Sequence, residues 1–167
     1  MPAPPAHAAS VRLAIFDVDG VFTDGLLYLS DGGTETKTFN VKDGHGVKLL
    51  LKAGIEVAII SGRNSPAVDR RMAELGVEHV FQGIRDKRAV FQDLLGRLGI
   101  DAADVAYLGD DLPDLEVMRE IGLPAAVSDA HPDLLPHAAW TTTRPGGHGA
   151  VREFCDMLIS ARTSGSS

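Results

Sequence analysis

A single cysteine, Cys155, in a chain of 167 residues rules out an intrachain disulfide, and with it the stapled scaffolds of small secreted domains. Cationic residues are also scarce: 16 Lys and Arg stand against 23 Asp and Glu, a formal charge of −7. Nucleic-acid binding wants a basic face, so that class is set aside. No apolar run approaches membrane-spanning length. Residues 1–10, rich in Ala and Pro, hold no Lys or Arg and no apolar stretch fit for a signal peptide, so a cytoplasmic protein is expected. His7, His45, His79, His131 and His137 show no metal-ligand spacing. Internal repeats and low-complexity linkers are missing too. One domain over residues 11–162 is therefore expected, with flexible termini at 1–10 and 163–167.

What the chain does have is an alternation of short apolar runs with helical patterns, the mark of a mostly parallel sheet wrapped by helices. Strands are predicted at 11–16, 57–60, 79–81, 105–108, 125–127 and 140–142. Helices are predicted at 46–53, 66–75, 87–98, 113–121 and 150–162. Two further strand-like runs, 26–29 and 34–39, flank Ser30-Asp31-Gly32-Gly33 and read as a β-hairpin. Trp140 and Cys155 read as core residues, Trp140 alternatively as an interface residue.

The chemistry-bearing residues cluster where strands end, which is where open α/β sheets bind ligands. Asp17 and Asp19 follow the first strand in Phe16-Asp17-Val18-Asp19-Gly20. Such a pair alone reads as an ordinary turn. Two carboxylates this close repel each other unless a cation or shared proton offsets them, and a hard divalent ion such as Mg²⁺ suits oxygen ligands. A second acidic cluster, Asp110-Asp111-Leu112-Pro113-Asp114, follows another strand. Asp111 or Asp114 singly would read as a helix cap; the two clusters together read as a site. Ser61-Gly62-Arg63-Asn64 closes a third strand before a helix start, where backbone amides favour phosphate. Lys87 opens a helix against the dipole, so it needs a reason such as pairing with several carboxylates.

Order and spacing of these four motifs resemble the haloacid dehalogenase-like superfamily of phosphatases, from about residue 11 to about 161. The likeness extends to Gly25-Leu26-Leu27-Tyr28, to Phe39-Asn40-Val41-Lys42-Asp43-Gly44-His45-Gly46, to Ser128-Asp129-Ala130-His131-Pro132 and to Gly146-Gly147-His148-Gly149. It implies a three-layer α/β/α, Rossmann-like fold with a protruding hairpin, and a Mg²⁺-dependent sugar-phosphate phosphatase. Asp17 would be the nucleophile and Asp19 the general acid and then base. Metal would be held by the Asp17 and Asp110 carboxylates and the Asp19 carbonyl, with Asp111 and Asp114 supporting it. Ser61 and Lys87 would hold the transferring phosphoryl oxygens. Asn40, Val41, Lys42, Asp43, Gly44, Lys48, Arg63 and Arg71 are the substrate-binding candidates, with Arg63 suited to a carboxylate.

Only 41 residues separate Asp19 from Ser61 and 25 separate Ser61 from Lys87. A large cap domain fits neither interval, and an open site excludes water poorly. The resemblance to capless relatives implies a homotetramer in which the hairpin and the C-terminal segment complete a neighbour's site. Two other readings share parts of this pattern. A catalytically silent regulatory domain of this fold is opposed by intact Asp17, Asp19, Lys87 and Asp110. A phospho-accepting receiver domain is opposed by the Asp-x-Asp on the first strand. A phosphatase for a related nine-carbon sugar acid phosphate is the nearest alternative substrate.

Overall fold

The computed structural model describes residues 1–164. Its centre is a six-stranded sheet made of β1 (Leu13–Phe16), β4 (Glu56–Ile60), β5 (His79–Phe81), β6 (Val105–Gly109), β7 (Leu123–Ala126) and β8 (Trp140–Thr141). Spatial order is β5-β4-β1-β6-β7-β8. Every neighbouring pair is parallel. A two-stranded antiparallel hairpin of β2 (Tyr28–Leu29) and β3 (Glu35–Thr36) stands apart from it. Helices α1 (Val41–Lys52), α2 (Pro66–Leu75) and α5 (Ala150–Ser164) and helices α3 (Lys87–Leu98) and α4 (Leu115–Met118) form the two flanking layers.

Local chemistry sets most boundaries where the sequence places them. Pro66 occupies the first turn of α2 and Gly76 ends it at φ +82°, so α2 spans the predicted residues. Helix α1 starts earlier than expected, because the Asn40 side chain accepts a hydrogen bond from the Lys42 amide at 2.9 Å and caps it. The helix expected at 113–121 is instead a 3-10 turn, Leu112–Asp114, followed by the short α4. A reciprocal cap between Asp111 and Asp114 tightens that first turn.

Burial follows the parallel-sheet pattern, with β1 and β6 buried on both faces. Phe16 meets Phe154 of α5 edge-on at 5.6 Å, and Trp140 packs on Phe154 at 6.0 Å, so Trp140 is core. Cys155 is buried in the same layer. Residues 1–10, expected to be a loose arm, hold a 3-10 turn at Ala6–Ser10 whose Ala8 is buried, because that turn packs on α5. At the other end α5 continues through Ser164; residues 165–167 lie outside the described residues. No helix is long and apolar enough to cross a membrane among the described residues.

Candidate active site

Register brings the strand ends together. Phe16 pairs with both Ile59 and Leu108, and the Asp17 amide continues the ladder to the Leu108 carbonyl at 3.2 Å. Residues just beyond β1, β4 and β6 therefore emerge side by side. A cavity of about 330 Å³ is lined there by Asp17, Asp19, Gly25, Gly62, Arg63, Lys87, Asp110, Asp111 and Pro113. Ser61, buried at the end of β4, immediately precedes two of these lining residues. Its amide bonds the Phe81 carbonyl at 2.9 Å, which fixes the turn.

Lys87 is the hub of the cluster. Its Nζ lies 3.0 Å from Asp17 Oδ2 and 2.8 Å from Asp114 Oδ1, with only 4% of the side chain exposed. Asp114 is fully enclosed and accepts four donors. They are Lys87, the Tyr107 hydroxyl at 2.5 Å, and the amides of Asp110 at 3.0 Å and Asp111 at 3.3 Å. Its oxygens are spent on holding Lys87 and the loop after β6. Asp17 Oδ1 accepts the Val18 amide at 2.7 Å. The Asp110 carboxylate has neither a donor nor a cation among the described residues.

Electrostatics follow from this imbalance of three carboxylates and one ammonium. Burial, then the Asp114 charge, push Asp17 up to about 7 against the pull of Lys87. Burial and the charges of Asp17, Asp114 and Asp111 push Asp110 up to about 8. Burial alone would lower Lys87, but Asp114 and Asp17 outweigh it and hold the ammonium above its usual range. Desolvation raises the Tyr107 hydroxyl well above a free phenol, so it stays a donor to Asp114.

Such a site suits a divalent cation. Oxygens of Asp17, Asp110 and Asp114 all lie within 4.8 Å of one another. With Asp114 saturated, Asp17 and Asp110 carry the open acceptor positions. Gly20, at φ +83°, makes room for this: a Cβ there would lie 1.9 Å from Asp110 Oδ2. The segment before α5 closes the loop from behind, since a Cβ on Gly146 would lie 1.8 Å from the Gly20 carbonyl. The Gly147 amide bonds Val21 O at 3.0 Å.

Several substrate-binding candidates lie outside this cavity in the single chain. Asn40 caps α1, Val41 and Lys48 are exposed, and Asp43 is buried with its Oδ1 on the Arg152 amide at 2.9 Å. Arg71 crosses Gly44 and pairs with Glu74 at 3.2 Å. Lys42 lines a separate cleft with Arg144 and Arg152. Arg63 alone of the 40–71 candidates lines the cavity at the strand ends.

Two groups go beyond the sequence motifs. Tyr107 lies on an apolar strand, where its hydroxyl needed a partner; that was its one signal. Lys37 reaches Asp19 Oδ1 at 2.5 Å and Glu35 Oε1 at 3.0 Å, and Glu35 Oε2 meets Arg63 at 2.7 Å. Lys37 is the only Lys or Arg between Asp19 and Lys42.

Residues 41–122 match the family of haloacid dehalogenase-like hydrolases. The chain is 51% identical over 157 residues to the 3-deoxy-D-manno-octulosonate 8-phosphate phosphatase of Escherichia coli K12, covering 94% of this chain and 84% of that protein. The chain belongs to the haloacid dehalogenase-like hydrolases. Solved structures of this family agree in fold. The Yersinia pestis 3-deoxy-D-manno-octulosonate 8-phosphate phosphatase superposes with a TM-score of 0.93 at 48% identity, covering 94% of this chain and 85% of that one. The Moraxella catarrhalis enzyme of the same name, solved with magnesium ion, phosphate ion and KDO, gives 0.92 at 42% identity, covering 95% and 91%.

Proposed function

We propose that this chain is a Mg²⁺-dependent phosphomonoester hydrolase acting on 3-deoxy-D-manno-octulosonate 8-phosphate, a precursor sugar of lipopolysaccharide. The observation that carries the chemistry is the arrangement of Asp17, Lys87 and Asp110 at adjacent strand ends, with Asp19 on the same cavity. The substrate assignment is supported by the relatives in E. coli and M. catarrhalis.

Asp17 attacks phosphorus through a carboxylate oxygen and forms an aspartyl-phosphate as the bond to the sugar oxygen breaks. Asp19 gives its proton to that leaving oxygen, then takes one from the water that hydrolyses the intermediate. Lys87 favours the ionised form of Asp17 and meets phosphoryl oxygens, with Asp114 and Tyr107 fixing its position. Ser61 and the amides around Gly62 provide further donors to those oxygens. Asp17, Asp110 and the Asp19 carbonyl would hold Mg²⁺, and Asp111 and Asp114 support that loop. When bound, the ion offsets charge on the nucleophile and the transferring phosphoryl group.

A homotetramer, located in the cytoplasm, completes this reading. The hairpin exposes Leu26, Leu27, Tyr28 and Leu29 in succession, Leu29 at 65%, an apolar patch that suits an interface with other copies. Assembly would bring the hairpin and the C-terminal segment of one copy to the site of another, with the exposed Val41, Lys42 and Lys48 beside them, while buried Asp43 and Gly44 serve the fold of their own chain.

The test is phosphate release across a panel of sugar phosphates with and without Mg²⁺. Preference for the eight-carbon acid phosphate, lost in chelator, is expected. Preference for a nine-carbon acid phosphate would move the assignment to that relative, and no turnover at all would favour a silent regulatory domain.

A further inference from the structure

The hairpin contributes a line of charge that none of the four motifs contains. Glu35 and Lys37, two residues apart, share one face of an extended segment. Lys37 is withdrawn from solvent, its side chain 5% exposed, and its ammonium contacts Asp19 at 2.5 Å and Glu35 at 3.0 Å. Glu35 in turn meets Arg63 at 2.7 Å. Asp19, Lys37, Glu35 and Arg63 thus form one chain of ion pairs, with Asp19 and Arg63 on the cavity wall. Among the described residues, Lys37 is the one partner of the Asp19 carboxylate, and it takes a single oxygen, Oδ1. The other oxygen stays free.

We propose that Lys37 is the positioning residue for proton transfer by Asp19. An ammonium only donates, so the oxygen it holds serves as the carbonyl-type acceptor. The proton in flight then belongs to Oδ2. In the first step Oδ2–H gives its proton to the sugar oxygen as the P–O bond to the sugar breaks and the bond to Asp17 forms. In the second step Oδ2 takes a proton from water as the water oxygen bonds to phosphorus and the bond to Asp17 breaks. Glu35 anchors Lys37 from behind and ties its placement to Arg63, so the hairpin sets the angle of the acid.

This inference rests on the phosphatase reading, and leaving-group chemistry separates the two. A sugar alkoxide needs a proton to depart; a nitrophenolate does not. Lys37→Met is expected to lower kcat on the sugar phosphate by about 10²-fold with KM changed only a few-fold, the loss typical of a misplaced catalytic group. On p-nitrophenyl phosphate the same variant is expected to keep its initial burst of nitrophenolate while the later steady rate slows. Lys37→Arg should recover most of the turnover. Glu35→Gln, which preserves the Asp19–Lys37 pair, should show the same split at smaller amplitude and decides the matter if Lys37→Met does not fold. Equal losses in burst and sugar turnover, a rise in KM alone, or unchanged kcat would each overturn the role. If the wild-type protein ignores the sugar phosphate, the substrate assignment falls, and the aryl-phosphate burst still decides on Lys37.

Discussion

Lys87 Nζ sits 2.8 Å from Asp114 Oδ1, a pair in which neither side chain is more than 4% exposed. Asp114 does not face the reacting atoms. It fixes the ammonium 3.0 Å from Asp17, so the cation beside the proposed nucleophile is immobilised before substrate arrives.

Breaking that pair should cost fold as well as activity. Asp114→Ala strips Lys87, Tyr107 and two amides of an acceptor at once. A loss of about 3–5 kcal/mol is expected, against about 1–2 kcal/mol for Tyr107→Phe, which removes a single donor. Urea unfolding of both variants measures this; an Asp114→Ala variant as stable as the parent would contradict the assignment.

Asp17→Asn retains an acceptor for the Val18 amide, now at 2.7 Å, but loses the nucleophile. Turnover should fall at least about 10³-fold. The thermal midpoint should hold or rise, since a buried charge is gone. Phosphate release alongside circular dichroism checks both halves, and retained turnover would refute the covalent route.

Removal of metal should reveal the charge repulsion. Asp17 at about 7 and Asp110 at about 8 both lie above their ordinary value of 3.8. Their protonated forms therefore favour the fold, a contribution full below about pH 4 and lost as pH rises through 7 and 8. Mg²⁺ needs both carboxylates ionised. Thermal melts of chelated protein should accordingly show little gain from added Mg²⁺ at pH 5 and several degrees at pH 8.5. An equal gain at both would locate the ion elsewhere.

The exposed apolar run 26–29 should govern assembly. Replacing Leu26, Leu27 and Leu29 together by Ser is expected to shift a tetramer to smaller species in sedimentation and to reduce kcat/KM on the sugar phosphate about tenfold or more. A wild-type protein that sediments as a monomer at micromolar concentration would remove this expectation.

Much of the site was legible because its motifs are local. Asp17, Asp110 and Lys87 each sit within one residue of a strand end or helix start and Asp19 three residues past β1, so the apolar runs drew the eye to them and the resemblance of the four motifs gave them roles. The mostly parallel character of the sheet was readable from the alternation of elements. Lys37 was not, because its partner is 18 residues away and only the docking of the hairpin joins them. Tyr107 was hidden by its strand, where it reads as one more bulky core residue. The start of α1 escaped because Asn40 caps it from outside the apolar pattern. Residues 40–44 and Arg71 carry family-like sequence, yet a single chain holds them away from its own cavity.

The ladder from Phe16 to Ile59 and Leu108 has a bearing on how this molecule fails. Asp17, Ser61 and Asp110 hang from the ends of three neighbouring, largely buried strands, with Lys87 reaching in from the start of α3, and a slip of one residue would turn each strand's side chains to the opposite face. Heat should therefore extinguish catalysis and hydrogen-exchange protection of β1, β4 and β6 together, in one cooperative event rather than by gradual erosion.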